Sequence, residues 1–548
     1  MSEDRLYLGQ NVQLEPLIDQ WYAWPHLLSP ATAVRNITER HLKIMDSYIV
    51  APQVHANAVK NPKMLGGPFI DYGGERVDEI RSLRDRITRD RAHLIALSKA
   101  LVELDEILHK NANGTSLHPL YEKIPAILRG YVELVYDLNN HASYRLIEPL
   151  LYRSEFYDRS AQSLMLSMTT GDARPFVLST PRLEGSGLFH IPVSFDDERV
   201  DKLFKLKYEP QPWSTIRTWF DLSGKDKDLF RSFFTQEGPP PYRRYTGKGL
   251  LWRYFGHACI LIESASISML FDPVLSYTYE SEVQRYTYAD LPNPIDYVLI
   301  THNHQDHILF ETLLQLRHRV RNIVVPRNGA GALQDPSVRL MLLYCGFPNV
   351  IELGELETLE LDNCSITGLP FFGEHSDLAI ATKLAYLINI GGEQFLFAAD
   401  SCNIEPNLYR LLQRQVGDIR ALFLGMECDG APLSWLYGPL LSHRLERAQD
   451  ESRRLSGSNF EQGMAIVNEF NCQDVYVYAM GQEPWLNYIM SLKYTEQSRP
   501  IVDSNRLIDY CRERAICAER LFGEKEILLE PGRKGVARKR DQSRAAFE

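Results

Sequence analysis

A chain of 548 residues is too long for one ordinary core, and at about 100–200 residues per domain it makes two to four. Hydrophobic residues supply 44% and charged residues 24%, the balance of a folded soluble protein, which excludes wholesale disorder. Sixty Lys and Arg against 71 Asp and Glu leave a net charge of −11, which argues against a general nucleic-acid binder, because phosphate contacts need clustered cations.

The polar start, Met1-Ser2-Glu3-Asp4-Arg5, lacks the basic and apolar parts of a signal peptide. No apolar run reaches the roughly 18–20 residues that span a bilayer, so the expected location is cytoplasmic, away from membranes. Residues 1–75 alternate short apolar clusters with Pro and Gly and read as strand and loop. Ile80, Leu83, Ile87, Leu94, Leu97, Leu101, Leu104 and Leu108 then recur at three-, four- and seven-residue steps, the stripe of a long amphipathic helix. Further helical patterns run from Pro119 to Leu138 and from Tyr144 to Tyr157. Such a helical layer either covers a core of its own or forms a dimer interface. Residues 170–235 mix short strand-like and helical segments, and Gly238-Pro239-Pro240-Pro241 breaks the pattern as a linker or covering strap. This divides the chain into a mixed α+β domain at 1–245, a second domain at 246–531 and a basic tail at 532–548. Eight cysteines are scattered without CxxC spacing, which predicts buried thiols rather than disulfides or a cysteine zinc site.

Past residue 245 the texture becomes α/β. Leu250–Phe255, Cys259–Ile262, Ser268–Phe271 and Tyr297–Ile300 read as strands, while Leu309–Leu316 and Leu408–Gln415 read as helices. Directly after one of these strands stands Thr301-His302-Asn303-His304-Gln305-Asp306-His307. Alternation along an extended chain points His302 and His304 the same way, toward one metal. A turn into the next helix presents Asp306 and His307 to a neighbouring metal. Imidazole and carboxylate suit zinc, iron and manganese.

Two more ligands and an alternative lie downstream. Asp400 ends the apolar strand Phe395–Ala399, a place that suits a carboxylate bridging two cations; the other reading is a helix N-cap. His443 is the only histidine after His375, so a late imidazole ligand has to be His443. In Gly373-Glu374-His375 adjacent side chains of an extended segment face opposite ways, so one of the two binds. A glutamate makes the site harder and favours iron, a histidine favours zinc, and the residues alone leave both open.

The HxHxDH pattern resembles the metallo-β-lactamase superfamily, as do Gly256–Ile262, Phe271-Asp272-Pro273 and Asp296, and implies an αββα sandwich with metals at one edge. With the long N-terminal domain and Glu374, the whole chain resembles the CmlA-type diiron β-hydroxylases of nonribosomal peptide pathways. The resemblance implies that His302, His304 and Glu374 hold one iron, that Asp306, His307 and His443 hold the other, and that Asp400 bridges them, with Glu374 and Asp400 the carboxylates closest to the chemistry. It further implies two Fe ions, O2 and an external two-electron donor acting on an amino acid tethered to a peptidyl carrier domain, and a homodimer built partly through the N-terminal domain. A basic rim for the carrier could come from Arg243, Arg244, Lys248 and Arg253, or from Arg444, Arg447, Arg453 and Arg454. The rival reading is a dizinc hydrolase of a lactone, thioester or phosphoester.

Overall fold

The computed structural model describes residues 4–220, 222, 224–443, 445–530 and 535–537. From Leu250 onward two sheets face each other. The first has eight strands, in the order Val350–Leu353, Val320–Pro326, Ile295–Leu299, Ser268–Phe271, Cys259–Glu263, Leu250–Gly256, Lys525–Leu529 and Val536–Ala537. The second has seven, from Thr358–Leu361 through Glu393–Phe397, Ala421–Gly425 and Asp474–Tyr478 to Cys517–Arg520. Their strands read as nearly continuous apolar runs because both faces are covered. Between the sheets, Phe271, Phe397, Phe423 and Tyr476 stack in sequence, with Trp252 set edge-on against the last two. The helices Asn407–Val416, Phe460–Phe470 and Arg499–Glu513 cover the outer face of the second sheet, and Phe310–Leu316 and Val338–Tyr344 cover the first. This is the expected αββα sandwich. No helix among the described residues is long and apolar enough to cross a membrane.

The N-terminal part is mixed. A sheet of Trp21–Tyr22, Val12–Ile18, Gln162–Met168 and Phe189–Ile191 packs on the helix Phe310–Leu316, and one apolar cluster runs from Leu6 and Leu14 through Phe230 into Leu270, Leu313 and Met341. Several expectations need correction here. The region 25–58 is helical, with Pro25 and Pro30 at helix starts, where a missing N–H costs nothing. The long stripe is two helices, Val77–Asp90 and Ala92–Asn111, broken at Arg91, whose guanidinium turns to Asp19 (2.9 Å from both carboxylate oxygens) and Asp158. Residues 119–138 form short 3-10 turns and the strand Val132–Tyr136, which pairs with Ala142–Leu146, because Pro119, Pro125 and Gly130 interrupt any helix. The helical stripe is also spent within the chain: Ile80 to Leu108 are buried in a cluster that includes Leu433, Leu436, Tyr437 and Tyr488 of the metal domain. It is therefore not a free dimer face.

A buried polar knot ties the two parts together. Glu311, on the helix that follows the metal motif, accepts from Tyr22 (2.6 Å), Tyr277 (2.8 Å) and Arg174 (2.7 and 3.1 Å). Arg174 and Arg182 in turn hold Glu15. Removing one partner from such a buried set leaves an unpaired charge, at a cost of about 3–5 kcal/mol. The strap crosses to the second domain through Tyr242 on Glu263 and Arg244 on Asp296 (2.9 Å). Of the tail 532–548, only 535–537 lie among the described residues, with Val536–Ala537 pairing with the strand Lys525–Leu529.

Candidate metal centre

The strand Ile295–Leu299 delivers Thr301–His307 to one edge of the sandwich, and the chain turns there before the helix Phe310–Leu316. His302 and His304 both reach Glu374: His304 Nδ1 is 2.5 Å from Oε1 and His302 Nε2 is 3.8 Å from Oε2. His302 Nε2 also lies 3.9 Å from Asp400 Oδ2, and His307 Nε2 lies 3.1 Å from that same oxygen. Asp306 Oδ2 is 3.6 Å from His307 Nε2. Three groups of donor atoms result, each within 4.8 Å: His302, His304 and Glu374; His302, His307 and Asp400; His257, Asp306 and His307. Six of the seven expected residues therefore converge, with Asp400 between the two halves. It caps no helix, for the helix Asn407–Val416 begins after Pro406 without a side-chain cap.

His443 does not join them. It is exposed, and its ring lies 5.7 Å from that of His109 at the end of the helix Ala92–Asn111. The upstream His257 reaches the site instead. It sits at φ 51° in the tight turn between Leu250–Gly256 and Cys259–Glu263, with Nε2 3.0 Å from Asp306 Oδ2. The Gly481 amide donates to His257 Nδ1 (3.2 Å), so a neutral ring carries its proton on Nε2 and donates it to Asp306.

The segment holding Glu374 is not extended. Gly373, Glu374, Ser376 and Asp377 all have positive φ, from 54° to 75°. A Cβ on Gly373 would stand 2.4 Å from that of Cys402. Left-handed backbone at non-glycine residues costs on the order of 1–3 kcal/mol each and gathers at functional sites. The twist sends Glu374 toward His302 and His304, while His375 lies against the His304 ring at 4.4 Å, outside the three donor groups.

Partners beyond the donor atoms fix the rings. Asp272 accepts from Thr301 N (2.7 Å) and Thr301 Oγ1 (2.6 Å), and its Oδ2 lies 2.8 Å from His307 Nδ1. That leaves His307 Nε2 aimed at Asp400, the carboxylate–histidine pairing that orients a metal ligand. His304 is held from behind by Tyr437 Oη, 3.0 Å from Nε2. Burial lowers the His302 imidazole well below its usual range, and the neighbouring His307 adds to this. Burial alone would raise the Glu374 carboxyl, but His304, His375 and His302 outweigh it and hold it well below. Neutral imidazole beside carboxylate is the ligating form.

A metal fits this set. His302 Nε2 and Asp400 Oδ1 are buried without a hydrogen-bond partner at the centre of the cluster, and buried polar atoms otherwise find partners. Three imidazoles and three carboxylates, all N and O donors, match iron. A cavity of about 340 Å³ opens on Glu374 and Asp400, walled by Lys63 and Leu65 from the N-terminal part and Trp435 from the metal domain. A fourth carboxylate, Glu427, faces the same space just past the strand Ala421–Gly425. Burial pushes it well above the usual carboxylate range, and Asp400, Asp306 and Glu374 push it further.

Comparison with known proteins agrees with this geometry. Residues 7–239 match the diiron non-heme β-hydroxylase N-terminal domain, and 268–429 match the β-lactamase superfamily domain. The chain is 40% identical over 534 residues, 96% of its length and all of the relative's, to 4-amino-L-phenylalanyl-[CmlP-peptidyl-carrier-protein] 3-hydroxylase of Streptomyces venezuelae. The chain belongs to the CmlA-type diiron β-hydroxylases. The crystal structure of CmlA superposes with a TM-score of 0.90 over 96% of this chain and all of that one, and a point variant of CmlA with 0.88 over the same shares. The β-hydroxylase is thus a monooxygenase that uses two irons and O2, and the hydrolase reading falls.

Of the site residues, His257, Asp272 and Glu427 were missed by sequence reasoning. Asp272 stood in a recognised strand-end motif, and His257 in a Gly-His turn; neither carried a sign of its role. Of the first expected basic rim, Arg243 and Lys248 are exposed, while Arg244 pairs with Asp296. Arg253 is buried against Glu526 (2.6 Å) and Glu263 (3.3 Å). In the second, Arg454 lines the cavity, Arg453 donates to Ser376 O (2.9 Å), and Arg444 lies outside the described residues.

Proposed function

We propose that the enzyme hydroxylates the β-carbon of an amino acid held as a thioester on a peptidyl carrier domain of a nonribosomal peptide synthetase. The observation that carries this is the full-length likeness to a relative named for that reaction, joined to a metal cluster that opens on a cavity between the two domains. A tethered arm reaches such a cavity from the side of Lys63 and Leu65 and presents one carbon to the cluster, which raises its effective concentration.

His302, His304 and Glu374 would hold one iron and Asp306 and His307 the other, with Asp400 between them. Two irons held there would supply the chemistry of O2 activation, with an external two-electron donor, one oxygen atom going to the substrate and the other to water. The protein's own work is placement. Asp272 holds the proton of His307 on Nδ1, away from the metal side. His257 holds Asp306. Glu427, whose carboxyl burial pushes up, faces the same cavity, where the α-ammonium of an aminoacyl thioester would pair with it. The reading places the enzyme in the cytoplasm, in keeping with seven buried free cysteines, and as a homodimer whose contact uses surfaces other than the buried leucine stripe.

The test is to load a carrier domain with a panel of amino acids, supply reductant and O2, and follow the mass of the released acid. One added oxygen on a carrier-bound substrate, with the free amino acid inert, is the expected result. Equal turnover of free and tethered substrate would overturn the carrier reading.

A further inference from the structure

A second cavity, of about 430 Å³, lies away from the metals, where three parts of the chain meet. Lys207 and Tyr208 follow the helix Glu198–Lys205, His318 and Arg319 follow the helix Phe310–Leu316, and Pro239–Tyr242 of the strap closes the side. Its lining contains no Asp or Glu.

The cations here are short of partners. Lys207 is only 5% exposed, and its ammonium makes one long bond, 3.4 Å to Val12 O, besides lying 5.1 Å above the Tyr288 ring and 5.3 Å above that of Tyr277. Arg319 is 8% exposed; Nη2 donates to Tyr288 O (3.1 Å), and Nε is buried without a partner. His318, its ring stacked on Tyr208, has both nitrogens buried without a partner. Arg244 is different, since Asp296 neutralises it. Nor is Glu311 available to Lys207, because Arg174 and three tyrosines, Tyr22, Tyr277 and Tyr488, occupy it. Cations after Leu316 complement that helix's dipole, but this accounts for Arg319 and not for Lys207, which stands on another element. An unpaired buried charge costs several kcal/mol, so an uncompensated pair at one cavity marks a place where an anion belongs.

We propose that this cavity is a binding site for a phosphate group, with Lys207 and Arg319 holding the oxyanion and His318 donating to it. Tyr208, Tyr242 and Pro239–Pro241 form a wall fit for the organic part of a phosphate ester, and the volume falls within the ordinary range of small-molecule sites. Burial and the nearby Arg319 charge hold the Lys207 ammonium down to about 7, against the pull of Glu311. A bound anion would relieve that depression.

The test uses the full-length, iron-loaded protein and calorimetry with inorganic phosphate, phenyl phosphate and phenol. Saturable binding of phosphate or phenyl phosphate with Kd on the order of 1 mM or tighter is expected, and none of phenol. Tighter binding of phenyl phosphate assigns the site to an ester, and equal affinity assigns it to free phosphate. Lys207→Met and Arg319→Gln should each weaken binding by about tenfold or more. Lys207→Met should also raise the melting temperature of the ligand-free protein, since it replaces an unpaired buried charge with an apolar chain of similar length. No saturable heat from either phosphate up to about 10 mM, or binding unchanged in both variants, would overturn the proposal. So would a lower melting temperature for Lys207→Met, which would mean that the protein already matches that charge. Turnover of a carrier substrate plays no part in these readouts, so they stand apart from the proposed reaction.

Discussion

Replacing Asp272 by asparagine tests whether the residues behind the cluster set its affinity. The carboxylate serves three groups at once, Thr301 N at 2.7 Å, Thr301 Oγ1 at 2.6 Å and His307 Nδ1 at 2.8 Å. An amide offers one acceptor and one donor in the same space. With its NH2 toward His307, Nδ1 must accept, and the ring proton moves to Nε2, which points at Asp400 and the metal position. With its NH2 toward Thr301 N, two donors face each other in a buried place, at about 1–3 kcal/mol. The first arrangement is expected to lower the affinity for iron by about 10–100-fold, or about 1.4–2.7 kcal/mol. Competition with a chromogenic chelator measures that loss, and thermal melting of the metal-free protein measures the second. Wild-type iron affinity together with a wild-type melting temperature would refute the argument that Asp272 orients His307.

His443→Ala should leave iron content unchanged and stability within about 0.5 kcal/mol, as expected of an exposed side chain, whereas loss of one iron per chain would return His443 to the ligand set. Glu374→His should shift metal selectivity toward zinc and abolish hydroxylation, as read by elemental analysis of protein loaded from a mixture of the two metals; full iron occupancy with turnover would show that Glu374 is not a ligand. His257→Ala leaves Asp306 without the donor 3.0 Å away and should weaken binding at one iron more than at the other, visible as two separated steps in a chelator titration in place of one.

The chemistry of the site was legible in the sequence wherever its cause is local. His302, His304, Asp306 and His307 lie within six positions at a strand end, so alternation and one turn suffice to split them into two groups. Asp400 was legible because it ends an apolar strand; Glu374 and His375 stayed open from the residues alone, since only the left-handed backbone at Gly373, Glu374, Ser376 and Asp377 turns Glu374 toward His302 and His304. His443 failed because chain order says nothing about distance. The imidazole that reaches Asp306 comes from a turn about 50 residues upstream, and only pairing of Leu250–Gly256 with Cys259–Glu263 brings that turn to the same sheet end. The leucine stripe from Ile80 to Leu108 declared a buried face, but periodicity carries no information about what covers it, and tertiary packing gave it to Leu433, Leu436 and Tyr437. Between Pro119 and Leu138 the same apolar spacing fitted a helix in one dimension, while the prolines and the partner strand Ala142–Leu146 decided for turns and a hairpin. Lys207 is the extreme case: in the sequence it is one lysine among many, and only the meeting of three distant segments buries its charge at a cavity whose lining holds no Asp or Glu. Spacing fixes which side chains share a face; which faces meet is a property of the packed chain, because burial is a sum over contacts that the order of residues does not contain.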